Sequence, residues 1–241
     1  MSASLIERVR RLRRAGTLGL AIEGEVGALL ARCGDRLRLP WLTYNPWTLA
    51  IFHRAALEIA PTLAEAVRVH LPEVESVVDF GCGTGVYVAE LRRAGIDAYG
   101  FEYLERARRW ALERAGVEVA AFDLHSFKGA GRRFDLALSL EVAEHLEPAL
   151  ARKLVETCCA HAPTVLFSAA RPGQPGQGHI NLQPKSHWAG AFAERGYRVD
   201  HGRTARLQDH LRSRLLRGHW VAENLSLYVA DGGPPPISDH P

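Results

Sequence analysis

The apolar positions fall into two regimes along the chain: helical spacing over the first third, then short apolar runs alternating with helical stretches. Leu5, Ile6, Val9 and Leu12 stand among arginines over residues 4–14, and the period resumes over 18–31, predicting two amphipathic helices. A segment held between Pro40 and Pro46, with Trp41, Tyr44 and Trp47, predicts a loop, and a long helix over 47–70 follows until Pro72 ends it. Beyond it, strands are predicted at 77–80, 97–101, 117–122, 134–140, 164–169, 197–200 and 220–230, with helices over 86–94, 104–115, 148–161, 184–195 and 204–216 between them. Gly95 and Gly116 supply the first two helix stops. Such alternation predicts an α/β fold: a doubly wound, mainly parallel sheet of seven strands with an N-terminal helical cap. The expected division is a cap over 1–72, the α/β domain over 73–230, and a flexible tail over 231–241 marked by GGPPP.

Composition changes this picture little. At 241 residues, 47% hydrophobic and 24% charged, the chain suits one sizeable core without long disordered segments. A net charge of +3 neither demands nor excludes a polyanionic partner. All but three of the 30 basic residues are arginine, a usage read here as genome composition rather than chemistry. Cys33, Cys82, Cys158 and Cys159 form no CxxC pair and no zinc-like spacing, the pattern of a reduced protein. The basic start lacks the unbroken apolar core of a signal peptide, and no later run approaches membrane-spanning length. A cytoplasmic protein with no membrane partner is the expectation, and the sequence leaves its oligomeric state open.

The densest chemistry lies in Val77-Val78-Asp79-Phe80-Gly81-Cys82-Gly83-Thr84-Gly85. A short β-branched run, an acid and three alternating glycines predict a buried strand turning sharply into a helix, with backbone N–H groups left facing a ligand. Asp79 could accept from the turn or meet a cationic group. Glu102, 17 residues after Gly85 and ending the next strand, has the reach to take both hydroxyls of a ribose, and Asp123, ending the third, to take the exocyclic amine of a base. The spacing is G-x-G-x-G rather than the dinucleotide G-x-G-x-x-G, and no Walker lysine follows. With VVDFGCGTG, the Glu102 strand end, Asp123-Leu124 and FDLALSLEVAEHL in hand, residues 74–230 resemble a class I S-adenosylmethionine-dependent methyltransferase, a Rossmann-like fold. The resemblance implies S-adenosylmethionine as cofactor, with residues 81–85 (Gly81, Cys82, Gly83, Thr84 and Gly85) on its methionine part, Glu102 and Tyr103 at the ribose, Asp123 and Leu124 at the adenine, and Asp79 and Leu140 lining the site.

Past the fourth strand, Glu141, Glu144 and His145 stand at i, i+3 and i+4, and a helical turn there would bring them to one face. Two carboxylates and an imidazole suit a divalent cation such as Mg or Zn, which would lower the pKa of an acceptor hydroxyl. The glycine-, proline- and glutamine-rich stretch 171–184 is too long for a plain connection and offers His179 as a fourth ligand. The E-x-x-E-H segment plus a later histidine resembles the ubiquinone-pathway O-methyltransferases and the small-RNA 2′-O-methyltransferases, and this implies metal ligation by Glu141, Glu144, His145 and His179. The same segment could instead only pack beside the cofactor. Without a metal, His145 or His179 remains a candidate general base, and both are taken as catalytic. His53, His125, His187 and His219 are read as structural or exposed.

The histidines and carboxylates favour O-methylation of a small molecule such as a sugar, a phenol or a specialised metabolite, with Trp41, Tyr44, Trp47 and Trp188 as walls of its pocket. Arg203, Arg206, Arg212, Arg214 and Arg217 keep an RNA 2′-O-methyltransferase as the alternative, although no separate RNA-binding module accompanies them. A non-catalytic S-adenosylmethionine-binding protein is the third reading.

Overall fold

The computed structural model describes residues 18–37, 39–215 and 219–232, with the side chains of 18–23, 40, 41 and 219 outside that description. The helix expected over 4–14, most of the tail and Arg217 therefore lie outside the described residues. Two compact units emerge, one up to Phe52 and one from His53 on.

In the first unit, α1 (Leu18–Leu37) runs six residues past its expected end. The loop expected over 40–47 is a helical turn, α2 (Pro40–Thr43), before α3 (Pro46–His70) begins. Asn45 makes this junction. Its Oδ1 accepts from the N–H groups of Trp47 (2.9 Å) and Thr48 (3.2 Å), capping α3, while its Nδ2 donates to the carbonyls of Gly27 and Leu42, both at 2.9 Å. Trp47 lies on a glycine face of α1: a Cβ on Gly27 would sit 2.5 Å from the Trp47 Cβ.

The second unit is a seven-stranded sheet in the order β3-β2-β1-β4-β5-β7-β6. Its strands are β1 (Ser76–Phe80), β2 (Asp97–Glu102), β3 (Ala120–Ala121), β4 (Leu136–Leu140), β5 (Thr164–Ser168), β6 (Tyr197–Val199) and β7 (Ser226–Ala230). All pairs are parallel except those of β7, which runs antiparallel to β5 and β6. Successive β-branched and aliphatic residues point to opposite faces: Val77, Leu136 and Leu166 enter one core cluster, and Val78, Ala137, Val165 and Phe167 the other. Burial of both faces explains the nearly continuous apolar runs of the central strands. The helices are α4 (Val86–Arg93), α5 (Glu105–Trp110), α6 (Pro148–His161), α7 (Lys185–Ala193), α8 (His201–Arg214) and α9 (His219–Asn224).

Three expectations are corrected. The third strand shrinks from six residues to two, because the chain first closes the helix before it: α5 widens into a π turn over Ala111–Ala115, and Val117 N–H donates to Ala111 O at 3.1 Å. The last strand starts at Ser226, not at 220. Residues 219–224 form α9, which buries Val221 and Ala222, and Lys185 Nζ caps its end on the carbonyls of Glu223 (3.1 Å) and Leu225 (2.7 Å). Finally, α8 starts three residues early at a cap on Asp200, whose carboxylate accepts from Arg203 N–H at 2.8 Å.

The order of strands reverses between β1 and β4. The crevice beyond their carboxyl ends is where a doubly wound sheet takes its ligand, and both motifs singled out from the sequence end there.

Candidate active site

On the β1 side, the three glycines of the motif lie in the left-handed region, with Gly85 at φ 71° capping α4. A Cβ on Gly85 would come within 2.6 Å of Val117 Cγ2 and 2.8 Å of Ala111 Cβ. At Gly83 the same atom would meet nothing within 4 Å, so the backbone there faces open space. Glu102, 6% exposed, holds this loop through its carboxylate: Oε2 accepts from Gly83 N–H at 2.8 Å and Oε1 from Leu104 N–H at 2.7 Å. Burial pushes its pKa up, against the pull of those N–H groups and of Arg108.

Asp79 is buried at the end of β1 with no hydrogen-bond partner on Oδ2. Burial, and then the Glu102 carboxylate, push its pKa up to about 8. A buried acid in this state calls for a cation. At the end of β3, Asp123 starts a tight turn, accepting from His125 N–H at 2.9 Å and, more weakly, from Ser126 Oγ at 3.3 Å. Tyr103 is exposed, Leu124 is buried and Leu140 half-buried. His53, read as structural or exposed, is buried on the glycine loop: its Nδ1 stands 2.9 Å from Thr84 Oγ1, and its ring meets Trp110 edge-on.

On the β4 side the segment forms no single helical face. Glu141 is the one non-glycine residue with positive φ (55°) among the described residues, and the turn that follows it, Ala143–His145, is 3-10. The expected sharing of a face by Glu141, Glu144 and His145 is thereby corrected. The Glu141 N–H donates to Ser168 O at 2.9 Å, and its carboxylate accepts from Asn224 Nδ2 at 3.2 and 3.3 Å. Glu144, beside the Glu141 carboxylate, is fully buried, and neither of its oxygens makes a hydrogen bond. Burial and the Glu141 carboxylate push its pKa up to about 8, while its own N–H and that of Ala170 pull the other way.

The 171–184 loop is tied to this turn. Ile180 and Asn181 N–H groups donate to Glu144 O (2.8 and 3.0 Å), Asn181 Nδ2 donates to Ala143 O (3.3 Å), and His145 Nδ1 donates to Gly178 O (3.1 Å). That last bond sets the tautomer, with the lone pair on Nε2. These ties bring His179 to His145, ring centroids 5.0 Å apart, and Glu144, His145 and His179 each offer a ligand atom within 4.8 Å of the others. Gly176 makes room, since a Cβ there would overlap the His179 ring at 2.0 Å. Of the four proposed ligands, Glu141 stands outside this cluster.

Tyr44 and Trp47 are half-buried in the first unit, Tyr44 against Phe52, and the Trp41 side chain is outside the described residues. Trp188 is 2% exposed in the core against Phe167. Of the basic residues of α8, Arg203 pairs with Asp200 and Glu73, Arg212 with Asp209, and Arg214 with Glu65. Asn224 was missed in the sequence. Its distance of 83 residues from Glu141 left no local signal.

The sequence profile of the methyltransferase domain family matches residues 51–201. The chain belongs to that family. This methyltransferase domain is 36% identical over 100 residues to the ubiquinone biosynthesis O-methyltransferase of Methylobacterium sp. (strain 4-46), a match covering 39% of this chain and 40% of that protein. The match thus spans well under half of the relative's length. Among solved structures, Streptomyces venezuelae DesVI aligns over 76% of this chain and 97% of its own with 18% identity and a TM-score of 0.58. S-adenosylmethionine-bound CalS10, an amino pentose methyltransferase from Micromonospora echinaspora, aligns over 71% and 90% with 16% identity and a TM-score of 0.55. At these identities the likeness is one of fold, and the fold of the methyltransferase domain is that of the class I S-adenosylmethionine-dependent enzymes.

Proposed function

We propose that this chain transfers the methyl group of S-adenosylmethionine to a hydroxyl of a small molecule, with a divalent cation held by Glu144, His145 and His179. The observation that carries the reading is the presence of two groups of residues at the carboxyl ends of the strands: a glycine loop with acids at three strand ends, and a cluster of one buried carboxylate and two half-buried imidazoles. The O-methyltransferase named among its relatives supports a hydroxyl as acceptor.

The residues fit the cofactor. Gly83 leaves its side of the loop open, and the first turn of α4, which no side chain caps, suits the methionine carboxylate. Glu102 keeps lone pairs for the ribose hydroxyls, Asp123 for the adenine amine, and the unbonded Asp79 oxygen for cationic charge. The sulfonium supplies an electrophilic methyl, so this chain's task is to place the acceptor in line with it and to remove one proton. The residues also fit a metal: Glu144 is buried without hydrogen-bond partners, and the His145 tautomer presents Nε2. Two nitrogen donors and one oxygen suit Zn2+ better than Mg2+. Such an ion would lower the pKa of the acceptor hydroxyl. In this reading Glu141 is a neighbour of the ligands that Asn224 holds by hydrogen bonds, His145 and His179 would act on the acceptor through the ion they hold, and the hydroxyl proton would pass to solvent.

The test is methyl transfer from labelled S-adenosylmethionine to a panel of phenols, catechols and sugars, before and after exhaustive chelation. Labelled product that disappears on chelation and returns with Zn2+ supports the reading. Full activity after chelation removes the metal; cofactor binding without transfer to any hydroxyl removes the reaction.

A further inference from the structure

Residues 123–134, between β3 and β4, carry Asp123 and are held at several places: Lys153 Nζ donates to His125 O (3.4 Å), Arg132 pairs with Asp97 (3.0 Å), Phe134 N–H donates to His161 O (2.8 Å), and two further ties lie between these ends. One is the Phe127 ring, set in a cluster with Phe80, Phe101 and Phe122 at centroid distances of 5.8, 5.3 and 4.9 Å. The other is a hydrogen bond from the Ala130 N–H to Nε2 of His161, 3.0 Å long.

His161 is the last residue of α6 and 9% exposed. Its Nδ1 lies 2.7 Å from the Thr157 carbonyl, which can only accept, so the proton is on Nδ1 and the lone pair on Nε2 aims at the loop. The ring is also wedged against Phe80 (5.2 Å) and Phe127 (5.7 Å), touching the other tie. The loop comes close enough that a Cβ on Gly129 would stand 3.5 Å from Nε2. Both ring nitrogens are thus committed far along the chain from the Glu144 cluster, in an arrangement that does no proton transfer. A histidine meets two demands here at once: a flat face for the aromatic cluster and an acceptor of fixed direction.

We infer that His161 is a positioning residue for the adenine end of the cofactor site, and that through Ala130 it sets both the affinity and the base selectivity of the chain. The inference rests on the reading of Asp123 as the adenine partner. With the bond in place, the loop presents the Asp123 carboxylate in one geometry. Without it, the Ala130 N–H has no partner and the stretch between the remaining ties at His125 and Arg132 populates other conformations, so apparent affinity falls with the fraction that remains competent. The loss is greatest for the ligand that uses Asp123.

The experiment is calorimetric titration of the full chain with S-adenosylhomocysteine and with S-inosylhomocysteine, in which a carbonyl replaces the 6-amino group. His161→Phe keeps a flat ring but no acceptor, Ala130→Pro removes the donor and leaves the imidazole, and His161→Gln keeps an acceptor. The wild type is expected to prefer the adenosyl compound. His161→Phe and Ala130→Pro should each weaken its binding about tenfold and shrink the preference, while His161→Gln retains most of both. If His161→Phe fails to fold, Ala130→Pro decides. Wild-type affinity and preference in Ala130→Pro overturn the inference, as does equal damage in the Gln and Phe variants. A wild type that binds both compounds equally removes Asp123 from the adenine and takes the inference with it; that result differs from a failure of the variants alone.

Discussion

The two sides of the crevice are built on opposite plans. Beyond β1 and β2 the backbone is fixed although the Asp79 Oδ2 has no partner: Glu102 ties the glycine loop at Gly83 to its own strand end at Leu104, and the loop's shape is dictated by positive-φ glycines. Beyond β4 a fully buried carboxylate has no hydrogen-bond partner, and a non-glycine residue sits in the left-handed region. The first side is preorganised for a ligand whose shape does not vary. The second holds a strained backbone at Glu141 and a carboxyl at Glu144 that burial keeps from ionising at its usual pH.

The largest break in this comparison is Gly85→Val. A branched side chain at φ 71° that also strikes Val117 and Ala111 should destabilise the fold by about 2–4 kcal/mol in denaturant unfolding. Cofactor binding should be lost with it. A variant that keeps both would show the loop to be plastic.

Next come the other side's residues. Glu144→Gln, His145→Ala and His179→Ala should each lower turnover by about a hundredfold or more while leaving S-adenosylhomocysteine affinity within about twofold. Unchanged turnover in all three would favour the non-catalytic reading. Gly176→Ala, which adds no polar group but strikes the His179 ring, should cost about tenfold in turnover by displacing it.

The smallest effect is a pH profile. Asp79 is pushed up to about 8 from 3.8, so the folded, ligand-free chain holds a proton that the unfolded chain gives up. Stability of the ligand-free chain should therefore fall as pH rises between these values. A cationic ligand favours the ionised form, so its affinity should rise with pH by less than about tenfold per unit and level off above about 8. Asp79→Asn should flatten the curve, and an unchanged curve would assign the titration elsewhere.

The same contrast explains what could be read from the sequence. Gly81 to Gly85, Glu102 and Asp123 are local signals: each is a residue type at a strand end, and the alternation of apolar runs fixes where those ends lie. The sheet, and the place of these residues at its carboxyl ends, were legible for that reason. The other side depends on long-range ties. Nothing local in the Glu141–His145 segment reveals that Glu141 stands outside the cluster, because Ser168 and Asn224, 27 and 83 residues distant, hold its N–H and its carboxylate. Edges failed in a related way. Residues 117–119 carry strand-like valines but are used to close a widened helix end, and residues 219–224 look strand-like but are wound by their cap on Lys185. Trp188 shows that an aromatic next to a candidate loop is more readily core than pocket.

The account's central claim is a division of labour across the crevice, and one titration addresses it. S-adenosylhomocysteine would be titrated into the wild type, Glu102→Ala and the His145→Ala/His179→Ala double variant. Binding weakened at least about tenfold in Glu102→Ala and held within about twofold in the double variant is the predicted result. Binding that survives the loss of Glu102 but fails with the histidines would contradict it.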